Sequence, residues 1–247
     1  MTSKEQITLE ICAFSIDALY NAENAGAHRV ELCDNPKEGG TTPSIGLIKQ
    51  ACCSSKIDIF PIIRPRGGDF NFSNEEFNQM KFDITEAKKA GCHGIATAIV
   101  NAENRIDKTR LKELVDIAYP LEVTFIRAFD IIYDPFEALE DIIDSGCKRL
   151  LTSGMATTAL EGAETLKKLI TQANNRISIM PGSGINSKNI ESLIKTTGAK
   201  EYHASARSMV PNTIAKADSF GFGNKTSNSK EEIKQILNKI KNRCKTA

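Results

Sequence analysis

Two short stretches, Leu9-Glu10-Ile11-Cys12 and Val30-Glu31-Leu32-Cys33, set the pattern from which the fold of this 247-residue chain is predicted. Each is a short β-rich run, and each is followed by a longer amphipathic stretch that is typical of a helix. Six further runs of the same kind follow, which is the pattern of parallel strands joined by crossover helices. The chain has the length of one (β/α)8 barrel, also called a TIM barrel, since such barrels commonly have about 250 residues.

The predicted strands are distributed along the whole chain. Their predicted bounds are Thr8 to Phe14, Arg29 to Cys33, Asp58 to Arg64, Gly94 to Val100, Glu122 to Ala128, Arg149 to Ser153, Ile177 to Pro181 and Glu201 to Ser205. A glycine stands before each even-numbered strand, namely Gly26, Gly91, Gly146 and Gly198. Glycine ends a helix in the left-handed conformation without steric cost, so this recurrence favours a regular barrel over an open sheet. The alternative is chance recurrence of a common helix end.

Composition and charge favour a small-molecule partner. Hydrophobic residues make up 40% of the chain and its formal net charge is +1, so we expect a large core and no basic surface for nucleic acid or an anionic membrane. Residues 1–10 lack the apolar segment of a secretory signal, and no apolar run is long enough to span a bilayer. Seven cysteines, an odd number, suit a reducing compartment, which predicts a cytoplasmic protein.

The two Glu-x-Cys pairs predict a polar pocket inside the barrel mouth. Side chains alternate across a strand, so Glu10 shares a face with Cys12, and Glu31 shares a face with Cys33. The aliphatic residues between them must face the helices, which leaves the acids and thiols facing inward. Neighbouring strands lie about 4.8 Å apart, and two carboxylates this close raise each other's pKa unless cations compensate them. Glu10 and Glu31 are therefore candidate acid–base residues.

Arginines are predicted at the same rim. Arg64 and Arg66 follow strand three, and Arg127 follows strand five together with Asp130. Bidentate pairing with a carboxylate or a phosphate is the natural use of a guanidinium group. The alternative is an ion-pair network that fills the barrel without binding a ligand.

Loops at this rim suit an anionic ligand. Lys37 lies in the glycine-containing loop 36–44, and Gly182 and Gly184 follow strand seven, where barrels often bind phosphate. Plain tight turns are an equally good interpretation of these glycines. His203, near the end of strand eight, is a candidate acid or base, with a hydrogen-bonded core residue as the alternative.

Several longer motifs resemble those of the CutC copper homeostasis family. They run in order from residue 8 to 208 and read Leu9-Glu-Ile-Cys12, Arg29-Val-Glu-Leu-Cys33, Lys37-Glu-Gly-Gly-Thr-Thr-Pro-Ser44, Ile63-Arg-Pro-Arg-Gly-Gly-Asp-Phe70, Phe125-Ile-Arg-Ala-Phe-Asp130 and Leu151-Thr-Ser-Gly154. The resemblance implies a cytoplasmic (β/α)8 barrel that forms homo-oligomers, with Cu(I) bound by Cys12 and Cys33. Asp130 and Ser153 within these motifs are further candidate ligand-binding residues. The family usually has His in the strand-five motif where this chain has Ile126.

Two functional hypotheses follow. Cu(I) prefers thiolates, and two inward cysteines on adjacent strands suit a two-coordinate site with Glu10 and Glu31 beside the ligands. The alternative is an enzyme that acts on a small phosphorylated or anionic metabolite, because carboxylates and arginines surround the thiols.

The C-terminal part is predicted to be an addition to the barrel. Residues 1–208 form the barrel in this prediction, and residues 209–247 add a loop and a helix that pack on it. The stretch Pro211 to Lys230 is rich in serine, glycine and asparagine and predicts a polar loop, followed by a helix from Glu231 to Asn242. A third hypothesis assigns this part to assembly or partner binding.

Overall fold

The computed structural model describes residues 7–214, 216–220 and 224–246, and within them eight parallel strands form one sheet that nearly closes into a barrel. These strands are β1 (Thr8–Ala13), β2 (Arg29–Leu32), β3 (Asp58–Ile63), β4 (Gly94–Thr97), β5 (Glu122–Phe125), β6 (Arg149–Thr152), β7 (Ser178–Pro181) and β8 (Glu201–Ala204). They hydrogen-bond in the order β7-β6-β5-β4-β3-β2-β1-β8, and β7 and β8 lie side by side. The predicted (β/α)8 barrel is confirmed.

Most strands end earlier than predicted, at the rim of the barrel. After β4 the chain leaves the sheet and forms an isolated bridge between Val100 and Ile106. After β5 it turns at once into a 3-10 helix, Arg127–Ile131. These rim segments carry side chains into the barrel mouth, which straight strands would not reach.

Helices alternate with the strands and cover the outside of the sheet. The first seven are α1 (Ile16–Ala25), α2 (Ile45–Ser54), α3 (Asn74–Lys89), α4 (Lys108–Ala118), α5 (Pro135–Asp144), α6 (Ala163–Ala173) and α7 (Ile190–Thr197). The predicted glycines Gly26, Gly91, Gly146 and Gly198 have φ angles of 97°, 85°, 90° and 69°, so each adopts the left-handed conformation expected at a helix end. Within the described residues, no helix combines the length and the apolar character that a membrane span requires.

The barrel interior is packed at the N-terminal ends of the strands. There the Phe60 ring lies 5.2 Å from the Arg29 guanidinium and 5.3 Å from the Arg149 guanidinium, measured from the ring centroid. Gly94 on the adjacent strand leaves room for this ring, because a Cβ at Gly94 would lie 2.0 Å from Phe60 Cε1. Open space is therefore left at the opposite end, where the strands end.

The structure of the segment after β8 differs from the predicted loop. It contains a two-stranded antiparallel sheet, β9 (Arg207–Val210) and β10 (Lys225–Asn228), with a short helix, α8 (Lys216–Ser219), between the two strands. The loop prediction from Pro211 to Lys230 was wrong in this respect. Strand pairing satisfies the backbone groups here, although the polar sequence lacks the alternation that indicates a strand.

The final helix, α9 (Lys230–Thr246), confirms the predicted helix and is longer than expected. Its side chains Ile233, Ile236, Leu237 and Ile240 are buried, and the helix packs against α1 and α7. It thereby takes the place of the helix that follows the eighth strand of a barrel. The boundary between residues 1–208 and 209–247 stays a prediction.

Replacing Gly94 with alanine should destabilise the protein strongly. The added Cβ meets the Phe60 ring at 2.0 Å and the Glu122 carbonyl oxygen at 2.5 Å, so the barrel interior must shift. We expect the free energy of unfolding in urea to fall by about 3 kcal/mol. The matched control is Gly46→Ala on exposed α2, where the nearest atom to the new Cβ is 3.9 Å away, and there we expect a gain of up to about 1 kcal/mol. Equal unfolding midpoints for the two variants would contradict the packing described here.

Candidate functional site

A cavity of about 600 Å³ opens at the C-terminal ends of the barrel strands. Its lining includes seven of the sequence-predicted site residues: Cys12, Glu31, Arg64, Arg127, Asp130, Gly184 and His203. Apolar side chains, among them Ile62, Phe70, Ile126 and Leu151, form part of its wall. The cavity thus joins an apolar wall to a polar base, as small-molecule sites commonly do.

Four side chains form what we call the floor cluster: Cys12, Glu31, Cys33 and His203. The Sγ atoms of Cys12 and Cys33 lie 3.7 Å apart, and a Glu31 carboxylate oxygen lies 3.6 Å from Cys33 Sγ. The same oxygen lies 3.8 Å from His203 Nε2. Cys12, Glu31 and Cys33 each offer a ligand atom within 4.8 Å of the other two. Side-chain alternation therefore brings the predicted acids and thiols together inside the barrel.

Glu10 lies beneath the floor cluster and is buried. Its Oε1 is 2.7 Å from His203 Nδ1, while its Oε2 accepts a hydrogen bond from Arg29 Nε. Arg29 also pairs with Glu201, whose carboxylate accepts a 2.6 Å hydrogen bond from Arg149 Nε. An ion-pair network fills the lower barrel, but its arginines are Arg29 and Arg149 and not the rim arginines of the predicted alternative, and the cavity lies above it.

The two acids have opposite pKa shifts. Burial favours the neutral form of Glu10, but the charges and hydrogen bonds of Arg29 and His203 outweigh burial and lower its pKa to about 2. Burial raises the pKa of Glu31 to about 8, because the opposing effect of His203 is smaller. The pair therefore combines a fixed carboxylate below with a carboxyl group that can hold a proton near neutral pH.

The two thiols of the floor cluster also differ. The hydrogen bond between Cys12 and Cys33, followed by the effect of His203, lowers the pKa of Cys12 to about 6 against the effect of burial. Burial and the neighbouring Cys12 and Glu31 raise the pKa of Cys33 well above its usual range. The pKa of His203 is raised because its contacts with Cys12 and the two acids outweigh burial. Cys12 is thus the thiolate of the pair, and an imidazolium faces it.

Arg64 is held on the cavity wall by backbone carbonyl groups. Its Nη1 donates to Glu38 O at 2.6 Å and to Gly40 O at 2.8 Å, and its Nη2 donates to Gly68 O at 2.6 Å. The guanidinium group also lies 4.5 Å from the centroid of the Phe70 ring. The residue is 5% exposed, so its charge is buried without a hydrogen-bonded carboxylate among the described residues.

Arg127, Asp130 and Ser153 form a second polar group on the opposite side of the cavity. Arg127 Nε donates to Asp130 Oδ2 at 2.8 Å, and its Nη2 donates to Ser153 Oγ at 3.0 Å. Asp130 also accepts bonds from Thr152 Oγ1 at 2.5 Å and from the backbone amide of Ser153 at 3.1 Å. These contacts satisfy the Asp130 carboxylate and hold the end of β6 against the 3-10 helix after β5.

Four predicted ligand-binding residues lie outside the cavity lining, and one of them is Ser153, described above. Lys37 is exposed on the turn that follows β2, and Arg66 pairs with Glu76 at 2.6 Å. Gly182 is buried, and a Cβ there would lie 2.4 Å from a leucine side chain of β6. Gly184 does line the cavity, with a φ angle of 71°.

Sequence reasoning missed four charged residues of the site. Arg29, Arg149 and Glu201 begin their strands and have the same parity as inward residues further along, so alternation could have indicated them. Arg207, on β9, lies on the cavity wall with its guanidinium 5.1 Å from the Phe14 ring centroid. Arg207 directly follows the predicted strand eight, but it was not assigned to the site, because the strand β9 that positions it was not predicted.

A second thiol pair lies outside the cavity. Cys52 on α2 and Cys92 before β4 have their Sγ atoms 3.3 Å apart. In the part of the chain that the structure describes, the candidate metal-ligating group of three is that of Cys12, Glu31 and Cys33. The second thiol pair therefore resembles the thiol pair of the floor cluster, but it has no neighbouring acid in a metal-ligating group of three among the described residues.

Comparison with known proteins gives a consistent result. The model of the CutC family matches residues 7–208 of this chain. A human protein named copper homeostasis protein cutC homolog is 46% identical over 200 residues, which cover 81% of this chain and 73% of the human protein. A family protein CutC from Parabacteroides distasonis is 47% identical over 203 residues, which cover 82% of this chain and 84% of that protein.

Solved structures agree with the fold. The crystal structure of CutC from Streptococcus agalactiae matches 81% of this chain and 99% of its own, with a TM-score of 0.77 and 33% identity. A phosphoribosylanthranilate isomerase from Pyrococcus furiosus matches 96% of this chain and 100% of its own, with a TM-score of 0.58 and 14% identity. At that identity the second match shows the barrel fold alone.

The rate of Cys12 alkylation should depend on pH as expected for a thiol with a low pKa. The reactive thiolate accumulates as the pH rises through about 6, so we expect the rate of iodoacetamide labelling to rise with a midpoint near that pH. Mass spectrometry of the Cys12 peptide measures this rate. Cys147, which is buried and has its pKa raised to about 12, is the control that stays unlabelled. His203→Gln should move the midpoint upward, because it removes a hydrogen bond and a positive charge. A wild-type midpoint near the usual thiol pKa of 9 would contradict this account.

Proposed function

The chain belongs to the CutC family of copper homeostasis proteins, and we propose that it binds Cu(I) at the floor cluster of its barrel. In this proposal Cys12 and Cys33 supply thiolate ligands, and Glu31 supplies a carboxylate beside them. The observation that carries the proposal is the pair of inward-facing thiols, 3.7 Å apart, of which Cys12 lines the open cavity and Cys33 is buried beside it.

The donor atoms suit Cu(I). Soft thiolates select Cu(I), and carboxylates are weaker ligands for it, so the two sulfur atoms carry the affinity. Metal–sulfur bonds in proteins are about 2.3 Å long, so one ion can contact two sulfur atoms that lie 3.7 Å apart. The low pKa of Cys12 supports the same role, because a thiolate that is present near neutral pH binds metal without first losing a proton.

Residues beneath the cluster orient these ligands. Glu10 fixes the His203 ring through its Nδ1 atom, which leaves Nε2 directed toward Glu31. Support of this kind around metal ligands is commonly worth a tenfold to hundredfold change in affinity. Ile126 stands where the family usually has His. In this chain the imidazole beside the thiols is that of His203 on β8.

We further propose that the protein is cytoplasmic and forms a homo-oligomer. The cysteines at positions 12, 33, 52, 53, 92 and 147 are free thiols, which suits a reducing compartment. Exposed apolar side chains on the segment after β8, including Met209, Ile214 and Phe220, are a surface that a second copy could cover. Multi-angle light scattering of the purified full chain would measure its mass in solution.

Cu(I) affinity should depend on the floor thiols. We expect Cys12→Ser combined with Cys33→Ser to weaken Cu(I) binding at least about 100-fold, since both sulfur ligands are lost. Anaerobic titration of the reduced protein against bicinchoninate, which competes for Cu(I), measures this affinity.

The second thiol pair provides the matched control. Cys52→Ser combined with Cys92→Ser removes two thiols of similar spacing and should leave the Cu(I) affinity within about twofold of wild type. The proposal fails if the first double variant binds Cu(I) as tightly as wild type, or if the second loses affinity instead.

A further inference from the structure

The cavity is much larger than a metal ion. About 600 Å³ lies above the floor cluster, whereas the floor thiols and Glu31 can hold an ion within a few ångströms. Volumes of 300–1,000 Å³ are typical of sites for organic ligands. The apolar wall formed by Ile62, Phe70 and Leu151 is likewise of no use to an ion alone.

Positive charge on the cavity wall indicates that an organic ligand bound there is an anion. The Arg64 guanidinium is 5% exposed, bonds only to carbonyl oxygens within the described residues, and has a buried Nε without a hydrogen-bond partner. The nearby Glu38 and Asp69 carboxylates offset only part of the cost of burying this charge, because burial outweighs them and lowers the pKa of Arg64, so an anion in the cavity would relieve the remaining cost.

Arg207 provides a second and more accessible cation. It is exposed on the cavity wall, its contact is with the Phe14 ring, and no described carboxylate lies within ion-pairing distance of it. It is close enough to the floor cluster for its charge to act on Cys12. A carboxylate bound at Arg207 would therefore belong to a molecule that also reaches the thiols.

We infer that Cu(I) enters this cavity as a complex with a small thiol that carries carboxylates, which Arg207 and Arg64 attract while the metal reaches Cys12. This inference rests on the proposed function. A cargo that prefers thiolates is held by thiolates before transfer as well as after it. Guanidinium ions bind carboxylates through charge-assisted, often bidentate hydrogen bonds.

The transfer is a ligand exchange without a change of oxidation state. Two copper–sulfur bonds to the carrier break, and two copper–sulfur bonds to Cys12 and Cys33 form. Cys12 is already a thiolate, so one carrier leaves with the Cys33 proton as a thiol, and the other leaves as a thiolate that takes its proton from water. Copper stays Cu(I) throughout, so no oxidant or reductant is required.

Transfer kinetics with two carriers test the inference. Reduced full-length protein is mixed anaerobically with Cu(I)–glutathione, which carries carboxylates, or with Cu(I)–cysteamine, which carries amines and no carboxylate. Samples are taken over time, and the copper that bicinchoninate can still bind is measured in each of them. We expect Arg207→Gln to slow transfer from glutathione about tenfold and not to slow transfer from cysteamine, since the lost attraction acts on the carboxylates. Arg207→Lys keeps the charge and should restore most of the rate.

A matched control and a salt series complete the design. Lys188→Gln removes an exposed charge from the loop after β7, outside the cavity lining, and should change neither rate. Raising KCl from about 0.05 to about 0.5 M should slow transfer to wild-type protein from glutathione alone, because it screens the attraction and requires no variant. Equal effects of Arg207→Gln on both carriers, or no effect on either, would overturn the inference while Cu(I) binding stands. Failure of the wild-type protein to take copper from either complex or from bicinchoninate would overturn the proposed function as well.

Discussion

The buried Glu10 carboxylate, held between His203 above and Arg29 below, is the interaction on which the interior of this barrel depends. A carboxylate in a protein interior costs several kcal/mol unless cations and hydrogen bonds compensate it. Here the compensation continues through Arg29 and Glu201 to Arg149. The network therefore joins β1, β2, β6 and β8, and it crosses the seam between β7 and β8, which are not hydrogen-bonded neighbours in the sheet.

The same interaction sets the chemistry of the cavity above it. Because Glu10 stays ionised, it keeps a positive charge on His203, and His203 in turn favours the thiolate of Cys12. Glu31 has no arginine partner among the residues that the structure describes, and it retains a proton near neutral pH. Two acids of identical type thus differ through their surroundings, one as an ionised structural anchor and one as a group that holds a proton near neutral pH.

Strand parity and helix-ending glycines were sufficient to predict the barrel and the convergence of Cys12, Glu31 and Cys33. Those signals are local, since side-chain alternation is a property of each strand by itself. The ion-pair network was missed because pairing of Arg29 with Glu201 joins residues that are far apart in sequence. Arg207 was missed because the strand β9 that carries it forms only through its pairing with β10, a strand in the segment that was predicted as a loop. Lys37 and Arg66 were predicted to bind the ligand, but they lie outside the cavity lining. A position at the rim does not fix the direction of a long side chain.

The central claim is that alternation on β1 and β2 builds a thiol site at the base of the cavity. Anomalous scattering from crystals of the reduced protein loaded with Cu(I), collected at the copper edge, tests it most directly. The account predicts a peak within bonding distance of both Cys12 Sγ and Cys33 Sγ, next to the Glu31 carboxylate. Copper between Cys52 and Cys92, or at the rim out of reach of both floor thiols, would contradict it.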